Sequence, residues 1–319
     1  MTGRVLVTGG LGSIGAHTAR ALLDLGGSVV LTRRRPTPLP SFLAGYGPDR
    51  VAVADVDVTD TAAVLAIGRE HAIGGVVHLA AAGLEVTDPV AFLRANTAGL
   101  LNVLQGAQEW GVTRFAVASS IGSYAGNEPG PWHEGLGLAL NVPIHQIPAF
   151  KLGAEVFTNL TARQSGFDAV NLRIGSVWGP LGHPESPFLP IPWWVRAAVQ
   201  GVTPALAEPP YADDGGDRVY VKDCGRAIAL LMTADRLAHD TYNVSSGEPA
   251  THREFADAIA AAVPGTEVEL KPGRSPGAPE RDPFLDVSRL RAGTGFAPEY
   301  DVERGVADYV AWLRAGNAS

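Results

Sequence analysis

The sequence predicts an α/β fold: a doubly wound parallel sheet (Rossmann type) with a smaller C-terminal lobe. Three observations predict it. Short apolar runs alternate with helix-period segments over the first 175 residues. A glycine-rich turn joins the first run to the first helix. Apolar residues make up 46% of the 319-residue chain and charged residues only 18%, so a sizeable core can be buried.

Residues 4–8 read as the first strand. Residues 14–25 read as a helix, with Ala16, Ala19, Leu22 and Leu23 at helical spacing. Strands follow at 28–31, 51–54 and 76–79, then a long helix at 92–110 and a strand at 115–119. A helix at 149–165 leads into a strand at 169–174. Short apolar strands separated by helices imply right-handed βαβ units. After Ile174 the texture changes. Stretches 178–192 and 271–283 are rich in Pro and Gly and read as loops that shape a site. Between and beyond them stand a strand at 219–221, a helix at 223–234, a strand at 241–244 and helices at 253–263 and about 302–314.

The totals exclude several classes of function. A net charge of -8 argues against nucleic acid or an anionic membrane as the main partner. One cysteine, Cys224, allows no internal disulfide, and no Cys/His set has metal-ligand spacing, so no metal site is expected. The first residues run straight into a strand without a charged and apolar leader, and no apolar stretch approaches the ~20 residues of a membrane span. A cytoplasmic protein is the expectation.

The segment Thr8-Gly9-Gly10-Leu11-Gly12-Ser13-Ile14-Gly15 joins strand to helix. Gly9 can take the tight turn, Gly12 lets the backbone approach a pyrophosphate, and Gly15 lets the helix lie close to the sheet. The amides of Ser13 and Ile14 then face the phosphates from a helix N-terminus. Residues 1–175 thus read as a dinucleotide-binding domain. Residues 176–319 read as mainly a substrate-binding lobe, with segments at about 217–250 returning to the sheet. After the second strand a carboxylate would accept the ribose hydroxyls of NAD. This chain has Leu31-Thr32-Arg33-Arg34-Arg35 instead. Arginine favours a 2′-phosphate, so NADP(H) is the expected cofactor, with Arg33 or Arg34 as the clamp and NAD(H) the alternative.

An ordered set of segments resembles the extended short-chain dehydrogenase/reductases, the NAD-dependent epimerase/dehydratase family. Thr8–Gly15 is similar to its TGxxGxxG. Asp55-Val56-Asp57-Val58-Thr59-Asp60 resembles its "GDvtD" segment, which places Asp57 and Val58 by the adenine. Val77-His78-Leu79-Ala80-Ala81 resembles its "vhlAA" strand end, which puts Leu79, Ala80 and Ala81 beside the cofactor. Asn96 falls at its helix asparagine. Residues 119–124 resemble "SSxxvYG", 173–180 resemble "RxxNvyGP" and bring Ile174 to the cofactor, 218–223 resemble "rdfvhvdD", and 286–290 resemble "DxSka". The resemblance covers nearly the whole chain. It implies an oxidoreductase, and a homodimer formed through the long helices at 92–110 and 149–165.

The resemblance also implies a Ser, Tyr and Lys proton relay, with Tyr and Lys four apart on one helix face. Ser120 matches the serine, and Lys151 matches the lysine, which also holds the nicotinamide ribose. Four residues before Lys151 stands Ile147, and no tyrosine occurs between Tyr124 and Tyr211. Isoleucine has no proton to give. Tyr124, His145 or Ser120 acting through water are the candidate replacements, His145 because its pKa suits proton exchange near neutrality. On the substrate side, Ser176 stands at the family's asparagine, which weakens a sugar-nucleotide reading. Trp178, Phe188 and Trp193, with Ile147, Ser120 and Tyr124, suggest a pocket for a small apolar or aromatic carbonyl or alcohol. Three functions follow: an NADP(H)-dependent oxidoreductase with a non-standard proton donor, a redox-neutral lyase, isomerase, aldolase or epimerase, and a non-catalytic nucleotide-binding protein.

Overall fold

The computed structural model describes residues 3–83, 85–141, 145–183, 189–204 and 208–317. The first half is β1 (Arg4–Thr8), α1 (Ser13–Asp24), β2 (Val29–Arg33), the one-turn α2 (Ser41–Ala44), β3 (Val51–Asp55), α3 (Thr61–Glu70), β4 (Ile73–His78), α4 (Pro89–Trp110) and β5 (Arg114–Ser120). A 3-10 turn (Ile121–Tyr124), β6 (Pro131–Trp132), α5 (Gln146–Ser165), β7 (Asp168–Ile174), β8 (Val177–Trp178) and α6 (Ile191–Gln200) follow. The rest is β9 (Gly215–Asp217), β10 (Val219–Tyr220), α7 (Val221–Thr233), β11 (Thr241–Val244), β12 (Pro249–Thr251), α8 (His252–Ala262), β13 (Phe284–Leu285), α9 (Ser288–Thr294) and α10 (Val302–Arg314).

Seven strands form one sheet in the order β11-β7-β5-β4-β1-β2-β3, and every pairing in it is parallel. Helices cover both faces, so the central strands are apolar throughout rather than alternating: Val5, Leu6 and Val7 are all buried, as are Val76 and Val77. The chain order reverses between β1 and β4. In such sheets that reversal opens a crevice at the carboxyl ends of the strands.

Local chemistry sets the helix ends. Asp88 caps α4 by accepting from the Ala91 amide, Pro89 opens the helix, and Gly111 closes it at φ 64°. Thr251 and Glu254 form a reciprocal capping box on α8. Four helices depart from the sequence reading, the short α2 and α9 together with α3 and α6. α3 lies where no element was expected: its run at 62–67 is continuously apolar and shows no helical alternation, and only Val64 and Ile67 are buried on it. α6 starts at Ile191, inside the stretch read as loop, and ends at Gly201 with φ 68°.

One core lies between the sheet and α1 and α7, with Leu22, Leu31, Ile228 and Leu231 among its members. A second lies under α4 and α5, around Phe92, Phe115 and Phe150. A third joins α6, α8 and α10 around Trp178, Trp194, Phe255 and Tyr309. Of the long-helix residues at 92–110 and 149–165, Leu100 and Leu104 are core, whereas Leu93, Phe157 and Leu160 are exposed.

Candidate functional site

The phosphate turn closes where β1 meets α1. Gly9 has φ 64° and gives its amide to Thr32 Oγ1 at 3.1 Å, while the Gly10 amide reaches the Thr32 carbonyl at 3.0 Å. A Cβ on Gly15 would lie 2.3 Å from the Gly9 carbonyl oxygen, so only glycine lets α1 start this close to the turn. Gly12 is the N-cap of α1 and offers no side-chain cap, and the first turn holds no acidic residue. The Ser13 and Ile14 end of the helix is therefore an uncapped, positive N-terminus. Ser13 turns its hydroxyl to the Pro180 carbonyl at 2.9 Å and ties the turn to the C-terminal half. Ile14 packs on the core beneath.

From this turn a cleft of about 440 Å³ runs over the sheet switch point. Gly9, Gly12, Arg33, Arg34, Asp57, Val58, Leu79, Ala80, Ala81 and Asn96 all line it. The two arginines differ. Arg33 gives Nε to Asp55 at 2.5 Å and Nη1 to the Thr37 carbonyl at 2.6 Å, so its guanidinium is already engaged. Of the two expected clamps, Arg33 therefore has fewer donors free than Arg34. Arg34 is exposed at the cleft and has no hydrogen-bond partner among the described residues. Asp57 accepts from the amide and hydroxyl of Thr59, which holds its carboxyl below the ordinary range. The carbonyl of Val58 is fixed by Asn102 at 2.9 Å.

The floor of the cleft is organised by Thr8 and His78, which the sequence reading did not single out, and by Asn96, which it did. Thr8 Oγ1 accepts from the amides of Leu79 and Ala80, both at 3.1 Å, and sits 2.9 Å from His78 Nδ1. His78 is buried, and desolvation pulls its pKa to about 3, with the Lys151 charge adding to the shift. Asn96 is also buried; it accepts from the Ala82 amide at 2.8 Å and donates to the Phe92 carbonyl at 2.9 Å. Its amide therefore positions the loop after β4 from below.

The candidate catalytic residues lie at the end of β5 and in the first turns of α5. Ser120 Oγ accepts from the Gly122 amide at 3.1 Å, which leaves its own proton to donate elsewhere. A Cβ on Gly122 would touch both Pro148 and Ser120 Oγ, so Ser120 lies against the start of α5. Ile147 and Lys151 follow on that helix one turn apart. Ile147 packs on the core around Phe92 and Phe150. Lys151 is half-buried with Nζ 5.6 Å from the Phe150 ring centre, and loss of hydration lowers its pKa to about 8. His145 is exposed and is the N-cap of α5: its Nδ1 accepts from the Ile147 amide at 3.4 Å.

Tyr124 is placed differently from the expectation. Its ring is fully buried and stacks on Trp132 with 5.7 Å between centres. Its hydroxyl donates to Asn243 Oδ1 at 2.7 Å and accepts from Arg173 at 3.1 Å, and burial pushes its pKa up. Neither its location nor its proton suits exchange with a substrate, which corrects its assignment as a replacement donor and as a pocket wall. It belongs instead to a buried network with Arg173, Glu155, Ser119 and Asn243. The partners come from β5, α5, β7 and β11, far apart in the chain, so no local pattern announces them.

The expected substrate wall is also corrected. Trp178 is 3% exposed and meets Tyr220 and Phe255 edge-on at 4.8 and 5.0 Å. Trp193 packs half-buried on the same cluster. These rings pack with Trp194, Phe255, Ile259 and Tyr309 in the core of the lobe, where α6, α8 and α10 meet. Phe188 lies outside the described residues. Ser176 is half-buried, with its carbonyl taken by the Val219 amide at 3.0 Å. Ile174 is buried at the end of β7, paired with Ser120 across the sheet, and does not line the cleft.

The described residues contain no cluster of side chains fit to hold a metal ion and no helix long and apolar enough to cross a membrane. Among known proteins, the chain is 28% identical over 337 aligned positions to a dTDP-glucose 4,6-dehydratase from Actinoplanes sp., covering 99% of both chains. It is 30% identical to a dTDP-glucose 4,6-dehydratase from Streptomyces griseus, covering 98% of this chain and 94% of the relative. The solved structure of a UDP-glucose 4-epimerase from Thermus thermophilus in complex with NAD superposes with a TM-score of 0.76 at 29% identity, covering 98% of this chain and all of that one. Residues 5–245 match the NAD dependent epimerase/dehydratase family, and with the sheet order and the phosphate turn in place the chain belongs to that enzyme family.

Proposed function

We propose that the protein is an NADP(H)-dependent oxidoreductase of the epimerase/dehydratase type, acting on a hydroxyl or carbonyl group of a nucleotide-linked sugar. The observation that carries this reading is the continuous cleft from the phosphate turn to the unengaged guanidinium of Arg34. The glycine cradle fits a pyrophosphate, and Arg34 fits a 2′-phosphate where NAD binders keep a carboxylate. When bound, the nucleotide supplies hydride transfer. Gly12, Ser13 and Ile14 hold its phosphates at the helix N-terminus, Leu79 to Ala81 shape the ribose side, and Lys151 holds the nicotinamide ribose. Ser120 offers its free hydroxyl hydrogen to the substrate oxygen as a hydrogen bond that fixes its position. The sugar substrate is favoured over a small apolar carbonyl for two reasons. Trp178 and Trp193, which suggested an apolar wall, pack the lobe instead. Relatives matched end to end are named for nucleotide sugars.

In this reading residues 176–319 form mainly the substrate lobe, with the chain at 217–250 partly rejoining the sheet. The exposed Leu93, Leu101, Val156, Phe157 and Leu160 on α4 and α5 suit pairing with a second copy. The test is absorbance at 340 nm with NADP⁺ and either UDP-glucose or dTDP-glucose. Growth of the reduced-nucleotide signal supports the reading. Ile147 favours a second reading, in which substrate is converted with no net redox change; product formation with a flat 340 nm signal selects it. Absence of turnover with both sugars refutes the substrate assignment.

A further inference from the structure

The chain has three lysines. Lys222 is paired with Asp308 at 2.6 Å and Lys271 with Glu208 at 3.3 Å. Lys151 has no carboxylate partner among the described residues. The reason is visible on its own helix. Glu155 lies one turn beyond Lys151 on the same face of α5, and both its oxygens are bonded to Arg173 while one also takes the Ser119 hydroxyl. Its charge is therefore neutralised locally. On the other side, one turn earlier, Ile147 gives an apolar neighbour where the family pattern has a phenol.

His78 and the groups on the elements packed against α5 offer Lys151 no countercharge. From β4 comes His78, buried and held neutral, with Nε2 unpartnered. From β7 comes Arg173, already paired. The 3-10 turn contributes Tyr124, sealed against Arg173 and Asn243. α4 contributes the uncharged Asn96, with Arg94 exposed to solvent. His145 stands exposed at the helix cap. What remains is an amine without a countercharge, half-buried and 5.6 Å from the Phe150 ring centre, one turn after Ile147 on the helix whose start lies against Ser120.

We propose that the ε-amine of Lys151 is itself the proton-exchange group of this site, acting in place of the absent tyrosine. This deepens the oxidoreductase reading and rests on it. In the reducing direction the carbonyl carbon of the substrate accepts hydride from the reduced nicotinamide nucleotide. The carbonyl π pair forms the new O–H bond with a proton from the Lys151 ammonium. The substrate is reduced, the nucleotide is oxidised, and Lys151 is left as the free amine, which regains its proton from water. In the oxidising direction the amine takes the alcohol proton as hydride leaves. A lysine desolvated by apolar neighbours to a pKa of about 8 can serve near neutral pH, as an ordinary lysine cannot.

The first arm of the test needs no substrate. The protein is labelled with ε-¹³C lysine, and its three signals, assigned with Lys→Arg variants, are followed against pH. A Lys151 midpoint near 8, with Lys222 and Lys271 titrating above about 10, supports the proposal. A Lys151 midpoint at 10 or above overturns it, whatever the activity proves to be. The second arm compares Lys151→Arg with the wild type in NADP⁺-dependent oxidation of UDP-glucose or dTDP-glucose. Arginine keeps the cation but does not release its proton. The expected result is NADPH affinity within about 3-fold of wild type and turnover reduced about 100-fold or more. Turnover within about 3-fold of wild type overturns the proposal, as does a loss confined to His145→Ala. A wild type inert toward both sugars refutes the substrate assignment, and the lysine midpoint alone then decides this inference.

Discussion

Arg173 holds both carboxylate oxygens of Glu155, at 3.0 and 2.8 Å, with both side chains under a tenth exposed. The pair sits beneath the ends of β5 and β7, directly under Ser119 and Tyr124. Burial alone would lower the Arg173 pKa, but the Glu155 charge outweighs it and the guanidinium is held more strongly protonated than usual. A buried pair of this kind contributes little net stability against an apolar replacement, yet breaking it strands a charge.

Glu155→Gln is therefore expected to destabilise the protein by about 3–5 kcal/mol, because Arg173 is left buried without its anion. Urea denaturation of the variant checks this. A change below about 1 kcal/mol would show that solvent reaches Arg173 and that the network is not closed.

Tyr124→Phe separates a structural tyrosine from a chemical one. Removing the hydroxyl leaves Asn243 Oδ1 and one Arg173 N–H short of a partner. The expected cost is about 1–3 kcal/mol in unfolding free energy. Turnover on the sugar that the wild type oxidises should stay within about 3-fold. A loss of about 100-fold with the fold intact would restore Tyr124 as the proton donor.

Acid should unfold the protein partly through two buried histidines. His17 donates Nδ1–H to the Ser13 carbonyl and is lowered by desolvation to about 4; His78 is lowered to about 3. Both bases titrate near 6.5 when unfolded, so the unfolded chain binds protons that the folded one refuses. Their stabilising contribution is complete above about pH 6.5. It is lost as pH falls, on the order of 3 kcal/mol for His17 by pH 4 and 5 kcal/mol for His78 by pH 3. His17→Gln should make the fall in stability between pH 6.5 and 4 shallower in urea titrations. An unchanged slope would mean that His17 is protonated in the native state.

The dinucleotide half was legible because its signals are local. Residues 4–15 carry strand, turn and helix in one contiguous stretch, and the glycine at position 15 answers to a contact with Gly9 only six residues earlier. β11 at Thr241–Val244 and α10 at Val302–Arg314 fall where their apolar patterns put them. The lobe was harder. Trp178 and Trp193 gave an aromatic stretch that reads equally as pocket or core, and only their contacts with Tyr220, Phe255 and α8 decide for core. Arg33 and Arg34 are chemically identical in sequence; the difference arises because Asp55 on the neighbouring strand pairs with Arg33 through the β2–β3 register. Glu155, Arg173 and Asn243 escaped notice for the same reason, since their meeting depends on strand order rather than spacing.

The central claim is a nucleotide cleft in which Arg34 selects the 2′-phosphate. Its most direct test is equilibrium titration of the protein with NADPH and NADH by fluorescence, for the wild type and Arg34→Ala. Wild-type binding of NADPH at least about 10-fold tighter than NADH is the predicted result, with the preference falling to about 3-fold or less in Arg34→Ala, as expected when one charge-assisted phosphate contact of ~1.4 kcal/mol or more is removed. Equal or tighter binding of NADH by the wild type would contradict the account, and failure to bind either nucleotide would remove the cleft as a dinucleotide site.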